Sequence, residues 1–163
     1  MMQNSSLSIP KIISLGLTIM FFAILIFPGS GWAQEKGWGL GVILGEPTGI
    51  SFKTWLNKDR AIDAAAAWSF GGSDAFHLHG DYLFHNRTLL NFDRNMIPLY
   101  YGIGARLRFQ SESKFGVRFP LGMTFFIREA PIDIFLELVP ILNLAPSTEL
   151  DFNAAIGARY YFH

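Results

Sequence analysis

From Leu150 to Phe162 the chain alternates strictly between two kinds of position. Leu150, Phe152, Ala154, Ile156, Ala158, Tyr160 and Phe162 share one face; Asp151, Asn153, Ala155, Gly157, Arg159 and Tyr161 share the other. Period two is the mark of a strand with unlike faces, because successive side chains point to opposite sides of the pleat. The pattern recurs over Leu99–Gln110, Phe115–Phe125, Ile132–Val139, Phe76–His85, Ile62–Phe70 and Ile50–Leu56, and a Gly-rich stretch over Trp38–Leu44 repeats it most weakly. Turn-forming residues separate the runs: Glu46-Pro47-Thr48, Asn57-Lys58-Asp59-Arg60, Gly71-Gly72-Ser73-Asp74, Ser111-Glu112-Ser113-Lys114, Glu129-Ala130-Pro131 and Ala145-Pro146-Ser147. The spacing predicts an all-β chain of eight antiparallel strands. Pro120 and Pro140 fall within this pattern; lacking an N–H, each is expected at a strand end or a bulge.

The content of the two faces decides which way the sheet looks. The polar faces mix both signs of charge with many Gly and Ala: the bases Lys53, Arg106, Arg118 and Arg159 and the acids Asp63, Asp81, Asp133 and Glu137. A solvated outer surface is richer in Lys, Glu and Thr than in Gly. Small residues beside long charged ones suit a narrow lumen, which an eight-stranded barrel just fills with side chains. Acids and bases in near-equal number are able to pair there, as buried charges must. The apolar faces then look outward into lipid, with strand lengths that match a tilted membrane crossing. Counted upward from a periplasmic N-terminus, Trp38, Tyr82, Phe84, Tyr101, Tyr160 and Phe162 gather at one rim and Trp68, Phe70, Phe76 and Phe109 at the other. Two aromatic girdles are expected at the two membrane interfaces.

The N-terminus has a different grammar. Lys11 is its first charge, an apolar stretch runs from Ile12 to Phe27, Pro28-Gly29 breaks it, and Gly31-Trp32-Ala33 supplies small residues before Gln34. This is the layout of a cleaved signal peptide, and the apolar core is short for a spanning helix. Residues 1–33 are therefore expected to be an address and residues 34–163 the barrel domain.

Composition narrows the function classes. Half of the residues are hydrophobic, 16% are charged and 15% are aromatic, with 16 Phe. Thirteen basic residues balance thirteen acidic ones, which removes the basic surface that nucleic acid requires. The absence of Cys excludes disulfides and thiolate chemistry.

Four stretches carry a family resemblance: Tyr101-Gly102-Ile103-Gly104-Ala105-Arg106, Gly116-Val117-Arg118-Phe119-Pro120-Leu121-Gly122, Phe135-Leu136-Glu137-Leu138-Val139-Pro140 and the ending Ala155-Ile156-Gly157-Ala158-Arg159-Tyr160-Tyr161-Phe162. In this order they resemble the small OmpA/OmpX-type outer-membrane barrels. The resemblance implies an up-and-down transmembrane β-barrel in a Gram-negative-type cell envelope. It also implies a final aromatic that addresses the barrel assembly machinery, although here His163 follows Phe162.

Two constellations are candidates for chemistry. The eight charged residues named above form a candidate lumen ion-pair network, with Arg106, Arg118 and Arg159 set against Asp133 and Glu137. Read functionally they gate a pore; read structurally they plug the barrel, which is the expectation adopted here. His77, His79 and Asp81 share one strand face at alternate positions and form a candidate rim site, where an H-x-H pair is able to chelate zinc or serve acid–base chemistry. No serine lies in a G-x-S-x-G elbow. The reading is a monomeric, non-enzymatic barrel in outer-membrane lipid with a structural or interaction role, without cofactor, metal or nucleic acid. Its rivals are a narrow porin-like pore, a lipid-modifying enzyme and a soluble periplasmic lipid-binding barrel. The connections on the outer side are short, and the longest, Asn86–Ile97, falls on the periplasmic side, which speaks against a large adhesive surface.

Overall fold

Strands account for most of the residues that the computed structural model describes, which are 37–69, 75–87, 91–92, 95–127 and 130–162. They are β1 (Trp38–Glu46), β2 (Thr48–Trp55), β3 (Arg60–Ser69), β4 (Ala75–Asn86), β5 (Asn91–Phe92), β6 (Asn95–Met96), β7 (Leu99–Phe109), β8 (Lys114–Arg118), β9 (Leu121–Ile127), β10 (Ile132–Ala145) and β11 (Glu149–Phe162). The expected signal segment 1–33, the turn Gly71–Asp74, and Phe70, Glu129 and His163 lie outside the described residues.

Nine strands form one antiparallel sheet in which neighbours in sequence, β5 and β6 apart, are neighbours in space, except that β8 and β9 do not pair with each other. The first strand pairs with the last, Trp38 opposite Phe162 and Glu46 opposite Ala154, so the sheet closes on itself, with only the start of β11, Glu149 to Asn153, running past the end of β1. β5 and β6 form a separate two-stranded hairpin within the long connection from β4 to β7.

Nine strands stand where the alternation predicts eight, and two prolines are the reason. The predicted run Phe115–Phe125 is divided into β8 and β9 at Phe119-Pro120. Both pieces pair with β7 on one side and with β10 on the other. In β10, Ile141 faces Arg118 of β8 and Leu138 faces Leu121 of β9, so the register continues through the gap and sets Pro140 against Phe119. There the Phe119 N–H donates to the Pro140 carbonyl at 2.9 Å, and the Gly102 N–H to the Pro120 carbonyl at 2.9 Å. An antiparallel hydrogen-bonded pair normally exchanges two such bonds. Proline has no N–H to return, so each proline deletes one bond, on opposite sides of the same two residues. Pro120 thus sits at a strand end; Pro140 lies inside β10 and faces the break.

The faces are inverted relative to a soluble protein. Among the described residues twenty-five large apolar side chains are exposed, Phe119, Leu136 and Ile156 among them at 42%, 48% and 50%. Arg118 and Arg159 are 2% and 1% exposed, and Lys53 and Asp133 are fully buried. Soluble chains almost never bury charge while exposing a continuous apolar surface of this size. A barrel in lipid requires it. Among the described residues the interior holds two small apolar clusters, Trp55 with Ala61 and Tyr161, and Ile43 with Ala65 and Phe135.

Aromatic rings collect at both rims of the outer face. At the rim bearing the two ends of the sheet, the terminal rim, Trp38 stacks on Phe162 at 4.5 Å and Phe84 on Tyr101 at 5.5 Å between ring centroids. At the opposite, hairpin rim, Trp68 meets Phe76 at 5.3 Å and Phe76 meets Phe109 at 6.1 Å. The long connection with β5 and β6 opens from the terminal rim, whereas Pro47 alone separates β1 from β2 at the hairpin rim.

Candidate functional site

The period-two pattern aims every second side chain of each strand into the lumen, and closure brings these inward rows within reach of one another. Arg159, on β11, takes one partner from across the lumen and one from the adjacent strand: its Nη1 donates to Asp63 of β3, and its Nε to Asp133 Oδ1 of β10 at 3.3 Å. Its guanidinium carbon lies 3.9 Å from the centroid of the Phe135 ring, and the Tyr161 hydroxyl donates to Asp133 Oδ2 at 2.8 Å. Arg118, on β8, does the same two strands away, with Asp81 of β4 and Glu137 of the adjacent β10. Its Nε donates to both Asp81 oxygens, at 2.9 and 3.1 Å, and its Nη2 to Glu137 Oε1 at 3.2 Å. The Tyr100 hydroxyl donates to the other Glu137 oxygen at 2.9 Å.

Two guanidiniums therefore tie four carboxylates across the middle of the barrel. Charge-assisted bonds of this kind are short and directional. They offset the desolvation of buried charge best when the remaining polar atoms are also satisfied; Tyr100 and Tyr161 supply one further bond each to Glu137 and Asp133, while Arg159 Nη2 is without a partner among the described residues. Space for the network comes from glycine. A Cβ at Gly104, opposite Asp81 in register, would collide with the Asp81 carboxylate, and one at Gly122 with the Tyr100 ring.

Above this layer, toward the hairpin rim, Arg106 Nη2 donates to Asn143 Oδ1 at 2.8 Å and to Asp151 Oδ2 at 2.7 Å. Asn143 Nδ2 also donates to Asp151, at 2.8 Å. At the mouth Lys114 pairs with Glu149 at 2.5 Å. Below the layer, toward the terminal rim, Lys53 lies 2.8 Å from His85 Nε2 and over the rings of Trp55 and Tyr100, at 4.6 and 5.3 Å.

All eight candidate network residues thus point inward, but the pairing differs from the one the sequence suggests. Arg106 reaches Asp151 rather than Asp133 or Glu137, and Lys53 has no carboxylate within salt-bridge distance among the described residues. Tyr100, Asn143, Asp151 and Tyr161 belong to the network although the sequence reading does not single them out. Parity is the signal that finds them, since Asp151 and Tyr161 share the Arg159 face and Asn143 shares the Asp133 face.

The candidate rim set does not assemble as a unit. Asp81 is held by Arg118, whereas neither ring nitrogen of His77 has a partner among the described residues. Asp63, His79 and Asp81 present three ligand atoms within 4.8 Å of one another. Guanidiniums already engage both of those carboxylates, so a dication would have to compete with two fixed positive charges.

No family model and no curated protein matches this chain in sequence. Among solved structures it is similar to the N-terminal β-barrel domain of Pseudomonas aeruginosa OprF, with a TM-score of 0.58 at 11% identity, over 77% of this chain and 96% of that one. A likeness at this identity speaks for the fold alone: a closed antiparallel β-barrel.

Proposed function

We propose that this chain is a bacterial outer-membrane β-barrel protein with a structural or interaction role, whose lumen is plugged by paired charges. In this reading residues 1–33 are removed on export. The nine strands of the closed sheet occupy eight positions around the barrel, β8 and β9 sharing one. The protein works as a monomer in outer-membrane lipid, and Phe162 at the end of β11 serves the assembly machinery.

One observation carries the proposal: the apolar side chains face outward in a belt between two aromatic rims, while Arg118, Arg159 and their carboxylates are buried within. Of the rivals, the soluble barrel is opposed by that belt. The lipid-modifying enzyme is opposed by the absence of a carboxylate partner for His77 among the described residues and by the engagement of Asp81 with Arg118. The narrow pore is opposed by two guanidiniums that each hold two carboxylates across the lumen.

The test is membrane fractionation followed by gel electrophoresis with and without boiling. The protein is expected in the outer-membrane fraction and to shift in mobility on heating. Recovery in the aqueous fraction without detergent would refute the membrane assignment. Conductance in planar bilayers that changes in Arg118→Ala or Glu137→Ala would replace the plug with a pore.

A further inference from the structure

The mouth at the hairpin rim carries a surplus of donors that the plug does not use. Two inward-facing rows run side by side there. In the outer row His77 of β4 stands opposite Arg108 of β7, and Arg108 opposite Lys114 of β8. In the inner row His79 stands opposite Arg106, and Arg106 opposite Gly116. Directly opposed side chains on one face lie within contact distance, so imidazole and guanidinium groups alternate across this wall.

The acids nearby are already engaged. Asp151 is taken by Arg106 and Asn143, and Glu149 by Lys114. Among the described residues Arg108 has no ion pair, and its buried Nε is without a hydrogen bond. Arg106 Nε and His79 Nδ1 are likewise unpartnered. His77 is 3% exposed, and neither of its ring nitrogens has a partner. A buried polar group left unpaired is costly, and an isolated imidazole with two empty sites calls for an explanation. On β3 the neighbours of the two histidines are Ala67 and Ala65, which leave room beside the rings.

We propose that His77, Arg106 and Arg108 form a binding site for a small oxyanion, a phosphate or phosphate monoester, at the hairpin-rim mouth of the lumen. The Arg108 guanidinium supplies the uncompensated charge and a planar fork suited to phosphate oxygens. His77 and the free Nε of Arg106 supply further donors. A cation is disfavoured, because the adjacent carboxylates are spoken for. The proposal goes beyond the plugged barrel and does not depend on whether the lumen conducts.

The test uses the full chain purified from membranes into octyl glucoside, a non-ionic detergent without phosphate. Calorimetric titration is run with inorganic phosphate and, in a second arm, with dihexanoyl phosphatidate. Saturable binding of inorganic phosphate is expected, weakened about tenfold or more by Arg108→Gln and by His77→Leu, each of which removes a charged or buried donor. Arg60→Gln, at the opposite rim, is expected to leave it unchanged. Saturation by phosphatidate alone, with the same loss in both variants, identifies the phosphate as that of a lipid headgroup. The proposal is overturned by no saturation in either arm, or by binding that Arg108→Gln leaves intact. The heat-dependent gel shift confirms the fold of each variant. Arg108 lies at the half-exposed mouth, so its variant stays decisive if His77→Leu fails to assemble.

Discussion

Replacing Arg118 by Met tests whether the lumen network holds the barrel together. Arg118 and Asp81 are 2% and 1% exposed, and Glu137, its second partner, is 11% exposed. Methionine fills much of the same volume but leaves both carboxylates without their cation. Breaking a buried pair in this way costs about 3–5 kcal/mol, or roughly two to four powers of ten in the unfolding equilibrium. The comparison is Lys114→Met, which removes a pair whose side chains are 18% and 48% exposed and so costs about 0–1 kcal/mol. Urea unfolding in phosphatidylcholine vesicles, followed by tryptophan fluorescence, measures both. The mechanism also makes a demand on the combined variant. Arg118→Met with Asp81→Asn and Glu137→Gln no longer strands a charge, so it is expected to recover much of the loss. Equal losses in Arg118→Met and Lys114→Met, or a triple variant less stable than the single one, would refute the reasoning.

Gly104→Ala is expected to lower the yield of the heat-modifiable folded band, because its methyl group meets Asp81 and the backbone of β4, whereas Gly80→Ala, whose Cβ would find only the Asp63 carbonyl at 3.8 Å, leaves it unchanged. Leu136→Arg places a charge on the middle of the outer belt and is expected to cost about 2–4 kcal/mol in vesicle unfolding; no loss there would mean that this face does not meet lipid. Arg159→Lys keeps the charge but loses the planar fork shared by Asp63 and Asp133, and is expected to cost about 1–3 kcal/mol in the same assay.

Parity made most of this architecture legible. Once the alternation is read, the facing of Asp63, Asp133, Arg118 and Arg159 follows, since a strand cannot turn one side chain without turning all of them. The antiparallel all-β order follows too, because the chain between turn signals is too short for crossovers. What parity does not carry is the partner across the lumen. Which acid meets Arg106 depends on the stagger between β7 and β11, and these strands are not neighbours in the sheet. The sequence therefore offered Asp133 and Glu137, and the fold chose Asp151. The break between β8 and β9 was half legible. Pro120 announces a missing donor, but only the register reveals that Pro140 removes a second one from the same gap.

The charge inside the barrel is uneven along its axis, and this connects the plug to the mouth. In the middle layer Asp63, Asp81, Asp133 and Glu137 face Arg118 and Arg159, with Lys53 below them. Four acids against three bases leave that layer short of positive charge, and two tyrosine hydroxyls spread the difference by donating to Glu137 and Asp133. Toward the hairpin rim, among the described side chains, Arg106 and Lys114 pair with Asp151 and Glu149, and Arg108 adds a third base. The lumen is close to neutral as a whole yet polarised, acidic at its centre and basic at one end. Inside a low-dielectric wall such a separation is felt more strongly than in water. An anion at the basic mouth would complete the local pairing there, whereas the same anion driven to the centre would meet four carboxylates. The arrangement that suits binding at the mouth is therefore the one that opposes passage of the same ion through the barrel.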